Sequence, residues 1–133
     1  MPRLSPRLAA LTALALFVPL AACAKSGPDG QPAKVTPASA IGDPGTGQTL
    51  IDRIGCGSCH VIPGIPEATG MVGPPLNNIG SRQYLAGMLH NTPDNMVTWL
   101  RFPQRVVPGN AMPDMNLSDA DARNIAAYLY TLK

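Results

Sequence analysis

Charge and aromatic bulk are both scarce in this sequence: 14 % of its 133 residues are charged and 5 % aromatic, with one Trp, three Tyr and two Phe. Nucleic-acid binding needs Lys and Arg gathered on one surface, and no block of either occurs, which excludes that class of partner. Alternation of period two, the mark of half-buried strands, is absent, as are internal repeats, so no sheet of consequence is expected. No carboxylate pair and no nucleophile beside a base stands out, so neither an enzymatic reaction nor a small-molecule substrate is expected. The longest apolar stretch, residues 8–20, is shorter than the about 20 residues that a membrane-crossing helix needs, and it is interrupted by Pro19.

That stretch has another use. It follows Arg3 and Arg7 and runs into Ala21 and Ala22, the three-part layout of a secretory signal over residues 1–22. Leu20-Ala21-Ala22-Cys23 resembles the bacterial lipobox, whose cysteine is acylated and becomes the new N-terminus. The resemblance implies a lipid anchor at Cys23 on the periplasmic side of a bacterial membrane, with each buried methylene contributing about 0.8 kcal/mol. Loss of the signal takes two of the ten basic residues and none of the eight acidic ones, leaving a formally neutral remainder. From Ala24 to Gly45 the chain is rich in Ser, Gly, Pro and Ala and has almost no large apolar side chain, so burial cannot offset its ordering entropy. Residues 23–45 are expected to be a flexible tether, and 46–133 the folded domain.

Within 46–133 the pattern predicts short helices joined by Pro/Gly loops. The first covers 46–54, with Leu50, Ile51 and Ile54 on one face and Gly55 as its stop. A weaker one covers 83–89. A third opens with Thr92 as N-cap and Pro93 at the first helical position, turns Met96, Val97 and Leu100 inward and stops before Pro103. The last opens with Ser118, carries Asp119 and Asp121 in its positively polarised first turn, and aligns Ala122, Ile125, Leu129 and Leu132 in one stripe. The fold class expected is all-α. A domain of this size buries only about 60–65 % of its chain surface, and its own aromatic side chains are too few to fill the middle. A large apolar cofactor would do so.

Cys56-Gly57-Ser58-Cys59-His60 is the pattern of covalent haem attachment, in which two thiols add to the vinyl groups and the next histidine ligates the iron. Two other uses of a Cys-x-x-Cys compete. A thioredoxin-like site has a strand before it and a helix after it, whereas a helix precedes this one and a Pro-rich run follows. A zinc site needs four ligands, and beyond Cys56, Cys59 and His60 only His90 is of a suitable kind. For a second axial ligand the candidates are His90, Met96, Met112 and Met115. Met112 is preferred, because prolines on either side hold the loop Pro108-Gly109-Asn110-Ala111-Met112-Pro113 rigid. Met71, Met88 and Met96 read more simply as fillers of a core.

These motifs, together with Gly73-Pro74-Pro75-Leu76, Trp99-Leu100 and the helix ending in Ala127-Tyr128-Leu129, make residues 46–133 resemble a class I c-type cytochrome. The kind is the small mono-haem, lipoprotein-anchored one that accompanies bacterial terminal oxidases. The resemblance implies a bundle of about four short helices wrapped around one covalently bound haem c. It also implies that Pro74 offers its carbonyl to the far nitrogen of His60, and that Arg82, Trp99 and Asn110 lie near the haem propionates or the methionine ligand.

His60 and Met112 as axial ligands would fill both positions on the iron and leave it no room to bind oxygen, which points to an electron carrier. Its donor would be a quinol-oxidising complex or dehydrogenase, its acceptor a terminal oxidase. The alternative is a haem-based gas sensor or accessory binding protein in which Met112 dissociates. A carbon monoxide difference spectrum separates the two.

Overall fold

The chain enters its described part, residues 37–133 of a computed structural model, through a single helical turn, α1 (Ala38–Ile41). The expected signal, Cys23 and most of the expected tether lie outside the described residues. The last part of that tether is not loose: Ile41 is buried, and α1 packs on the C-terminal helix. Helix α2 (Pro44–Ile54) likewise opens two residues earlier than predicted, because Asp43 caps it by accepting from the Thr46 N–H and Pro44 takes the first helical position. It stops at Gly55, whose φ of 85° is the left-handed conformation that glycine adopts without strain.

The expected helix over 83–89 is a hairpin instead. Strand β1 (Tyr84–Leu85) pairs antiparallel with β2 (Leu89–His90), Tyr84 opposite His90. Ala86 and Gly87 take φ of 50° and 70° in the connecting loop, which no right-handed helix can accommodate. Helix α3 (Pro93–Arg101) follows, capped by Thr92 as predicted. A short unpredicted helix, α4 (Pro103–Val106), comes next, with Pro103 starting it. Helix α5 (Asp119–Leu129) is capped by Ser118, whose hydroxyl accepts from the Asp121 N–H at 3.1 Å.

Helices α2 and α5 cross in close contact. A Cβ on Gly47 would lie 1.9 Å from the carbonyl oxygen of Asn124, so only glycine lets the two backbones meet. Leu50 and Ile51 of α2, Ile125 and Leu129 of α5, and Met96, Val97 and Leu100 of α3 form the core around this crossing. The architecture is thus mostly helical with one two-stranded ribbon among the described residues, and none of these helices is long and apolar enough to cross a membrane.

The turn after α5 ties back to the middle of the chain. The Gly80 N–H donates to Leu132 O at 3.0 Å, and the Tyr130 hydroxyl donates to Asn91 Oδ1 at 2.7 Å. Asn91 Nδ2 in turn donates to the carbonyls of Ile79 and Arg82, both at 2.8 Å. Burial pushes the Tyr130 hydroxyl up to about 12. In the unfolded chain it ionises near 10, so above that pH the unfolded state sheds the proton first and stability falls as the pH approaches 12. Urea titrations of Tyr130→Phe should show a loss of about 1 kcal/mol at pH 7, the worth of one neutral hydrogen bond. The same variant should show a shallower decline than the native protein above pH 10.

Candidate cofactor site

Helix α2 ends at Gly55 and so delivers Cys56-Gly57-Ser58-Cys59-His60 directly into a 3-10 turn, Cys56–Ser58. The turn is closed by the His60 N–H donating to Cys56 O at 3.1 Å. Both thiols are free, and burial pushes that of Cys56 up. The segment 70–73 lies flat against this motif. The Gly70 N–H donates to Gly57 O at 3.0 Å, and the Gly73 N–H donates to Cys59 O at 2.8 Å. A Cβ at Gly70 would stand 2.3 Å from Ser58 O, and one at Gly73 2.2 Å from His60 Cε1, so both positions need glycine for close approach. The two residues between are forced outward, and Met71 and Val72 are 90 % and 68 % exposed.

His60 is fixed from two sides. Its ring lies against the bare Cα of Gly73, and Nδ1 faces Pro74 O at 2.8 Å. A carbonyl can only accept, so Nδ1 carries the proton and Nε2 keeps a free lone pair. Such a bond fixes the tautomer and raises the basicity of a ligating imidazole.

One cavity of about 440 Å³ brings the named residues together. Cys56, Cys59, His60 and Met112 line it, and so do Pro74, Arg82, Trp99 and Asn110. The rest of its wall is largely apolar, from Ile51 and Ile54 of α2 to Leu129 of α5, and Arg82 is the one Lys, Arg, Asp or Glu in it. Arg82 donates from its guanidinium to Pro75 O and to Asn77 O, so it braces the irregular segment that carries the partner of His60. Asn110 braces the methionine loop: its Oδ1 accepts from the Met112 N–H at 2.7 Å while its Nδ2 donates to Pro103 O at 2.9 Å and Val107 O at 2.6 Å.

Not every candidate converges. Met96 and Met115 also line the cavity, so lining alone does not single out Met112. His90 does not line it; the residue is on β2 with its ring 4.9 Å from that of Tyr84. No group of three or more His, Cys, Asp or Glu residues among the described ones is arranged to hold a metal ion, which leaves the zinc reading without its ligand set. The helix before the Cys-x-x-Cys and the loop after it are the reverse of a thioredoxin-like site.

Sequence reasoning missed Gln104 and Asn91, whose side-chain amides hold the two loops flanking the cavity. Apart from the Tyr130 hydroxyl on Asn91, their partners are backbone groups, which carry no residue signature, so spacing and composition offered no signal for either.

The family description that matches is cytochrome c, over residues 45–133. Cytochrome c oxidase subunit 2 of Alkalihalophilus pseudofirmus is 35 % identical over 88 residues, which are 65 % of this chain and 25 % of that protein. Cytochrome c oxidase subunit 2 of Bacillus subtilis is 32 % identical over 91 residues, 65 % of this chain and 26 % of that protein. The chain therefore spans about a quarter of the length of these relatives.

The packing of Gly73 on His60 yields a direct check. Gly73→Ala should lose about 1–3 kcal/mol in denaturant titration, the usual cost of overpacking, because the new methyl cannot coexist with the ring where it stands. Gly45→Ala, whose Cβ would meet nothing closer than 3.6 Å, should leave stability unchanged or slightly raised.

Proposed function

The chain belongs to the cytochrome c family, and on that premise we propose that it is a one-electron carrier holding a single covalent haem c. The observation that carries this reading is the convergence of two free thiols, an oriented imidazole and a methionine around one apolar cavity. The residues present fit the group. Cys56 and Cys59 would form the thioether links, His60 would offer Nε2 to the iron, and Met112 would offer its sulfur. When bound, haem c supplies an iron that holds or releases one electron, and a thioether ligand raises its potential.

The protein's own part is to orient and to exclude. Pro74 holds the proton on Nδ1 of His60, which fixes the tautomer and leaves Nε2 as the ring atom that would ligate. The aliphatic wall would surround much of the bound group, and a dry surrounding tunes potential. Arg82 is placed to face an anionic substituent at the cavity edge. Met112 is favoured over Met115 because its backbone N–H and carbonyl are both held by side chains.

Members of this family are generally electron carriers rather than enzymes, while the relatives named above are subunits of an oxidase. That likeness supports a terminal oxidase as the acceptor, with a quinol-oxidising complex or dehydrogenase as the donor. Met71 and Val72 beside His60 carry no charge, so contact with a redox partner there would rest on apolar burial rather than charge steering. The reading places the domain on the periplasmic side of a bacterial membrane, held by lipid at Cys23.

Three measurements test these points. Protein made with a haem-attachment system should keep its colour through acid-acetone extraction, and Cys59→Ser should lose much of it; complete release from the native protein overturns covalent attachment. The oxidised protein should show the weak near-infrared band of an iron–sulfur bond, abolished by Met112→Ala and retained by Met115→Ala; the reverse result moves the ligand to Met115. Native protein should sediment with membranes and partition into detergent, whereas Cys23→Ala should stay soluble; a soluble native protein overturns the lipid anchor.

A further inference from the structure

We infer that Gln104 is the positioning residue for the axial methionine, acting through the backbone of the loop rather than on the cofactor. The inference rests on the reading of Met112 as a ligand. Gln104 is the second residue of α4, half-buried and outside the cavity wall. All of its hydrogen bonds go to the methionine loop. Oε1 accepts from the Gly109 N–H at 3.1 Å, and Nε2 donates to Asn110 O at 2.9 Å and to Met112 O at 2.7 Å. The orientation of the amide is settled by these partners, since a flipped amide would set its NH2 against an N–H and its oxygen against two carbonyls.

The loop has little else to fix it. Residues 107–112 form no helix or strand, and Gly109 turns through a φ of 78°. The Met112 N–H is held by Asn110 Oδ1, and the Met112 carbonyl is held by Gln104. The two amides divide the task. Asn110 binds back to Pro103 and Val107 and so makes the turn, while Gln104 pins the finished turn to α4 at both its start and its end. A turn that keeps Asn110 and loses Gln104 would survive, but the methionine would be free to drift. A neutral thioether is a weak ligand, so drift is paid in readiness to leave the iron.

The test uses the ferric holoprotein with imidazole as competing ligand, read by the loss of the near-infrared band. In Gln104→Leu, imidazole should bind roughly ten-fold tighter at pH 7, about the factor that one neutral hydrogen bond represents, here the one of the three lost that holds Met112 itself. On heating, the band should vanish before the helical circular dichroism does. Gln104→Glu keeps the acceptor for Gly109 but sets a carboxylate against two carbonyls. Its band should melt early at pH 7 and recover toward the native temperature as the pH falls into the carboxylate range near 4, when a protonated acid again donates. Gln104→Leu should show no such recovery. Unchanged imidazole affinity in both variants, or band and helix signals that melt together at every pH, would mean Gln104 merely supports the fold, and the inference fails. Met112→Ala separates the two readings. If the band survives that substitution, Met112 is not the ligand and the role of Gln104 falls with it. If the band is lost there but indifferent to Gln104, only the positioning role falls.

Discussion

The contact on which the molecule depends is the crossing of α2 and α5 at Gly47, where the side chain has been reduced to nothing so that one backbone rests on another. From it follow the direction in which α2 leaves the core, the place where Gly55 ends it and hence the position of Cys56. The same crossing sets α5 as a floor, with Ile125 and Leu129 reaching the cavity from below the motif that α2 delivers. Helix α3 then closes a third side through Met96 and Leu100. The cavity is what three short helices leave between them when two are forced together at a glycine.

Between residues 55 and 118 only α3 is a helix of more than two turns, and the irregular backbone there needs partners all the same. Side-chain amides, the guanidinium groups of Arg82 and Arg101 and the Tyr128 hydroxyl supply many of them. Asn91, Arg82, Gln104 and Asn110 each hold two or more backbone groups of a loop beside the cavity. No buried side-chain nitrogen or oxygen among the described residues lacks a partner. The loops are thus rigid without a ladder, which lets them follow the outline of a cofactor instead of the repeat of a helix or sheet.

What was legible in the sequence was local. The Cys56–His60 spacing, the caps Thr92 and Ser118 and the proline frame of Met112 are each read within a few residues; the two caps are found where they were expected, and Cys56, Cys59, His60 and Met112 line one cavity. What was not legible depends on partners far away or on backbone. The turn α1 exists because Ile41 is buried and the turn packs on α5, which is far along the chain at Asp119–Leu129. The hairpin requires Ala86 at φ 50°, a conformation that alanine's own preference argues against and that goes with the tight turn closed by the Met88 N–H on Leu85 O at 3.0 Å. Met112 and Met115 both reach the cavity, so the frame around Met112 weighs more than proximity. Gln104 was invisible because a carbonyl is the same in every residue.

The clasp between the chain's last residues and its middle bears on the order in which the molecule can form. Gly80 waits for Leu132, and Asn91 waits for Tyr130. A ribosome releases residues from the first to the last, and α2 lacks its main packing partner until α5 has been made. Until α5 has emerged the domain therefore stays open, with Cys56 and Cys59 on an unclosed chain. Closing so wide a loop is slow but costs little more free energy than closing a shorter one, since the entropy grows only with the logarithm of length. Late closure would leave the two thiols exposed for as long as the walls of the cavity are apart.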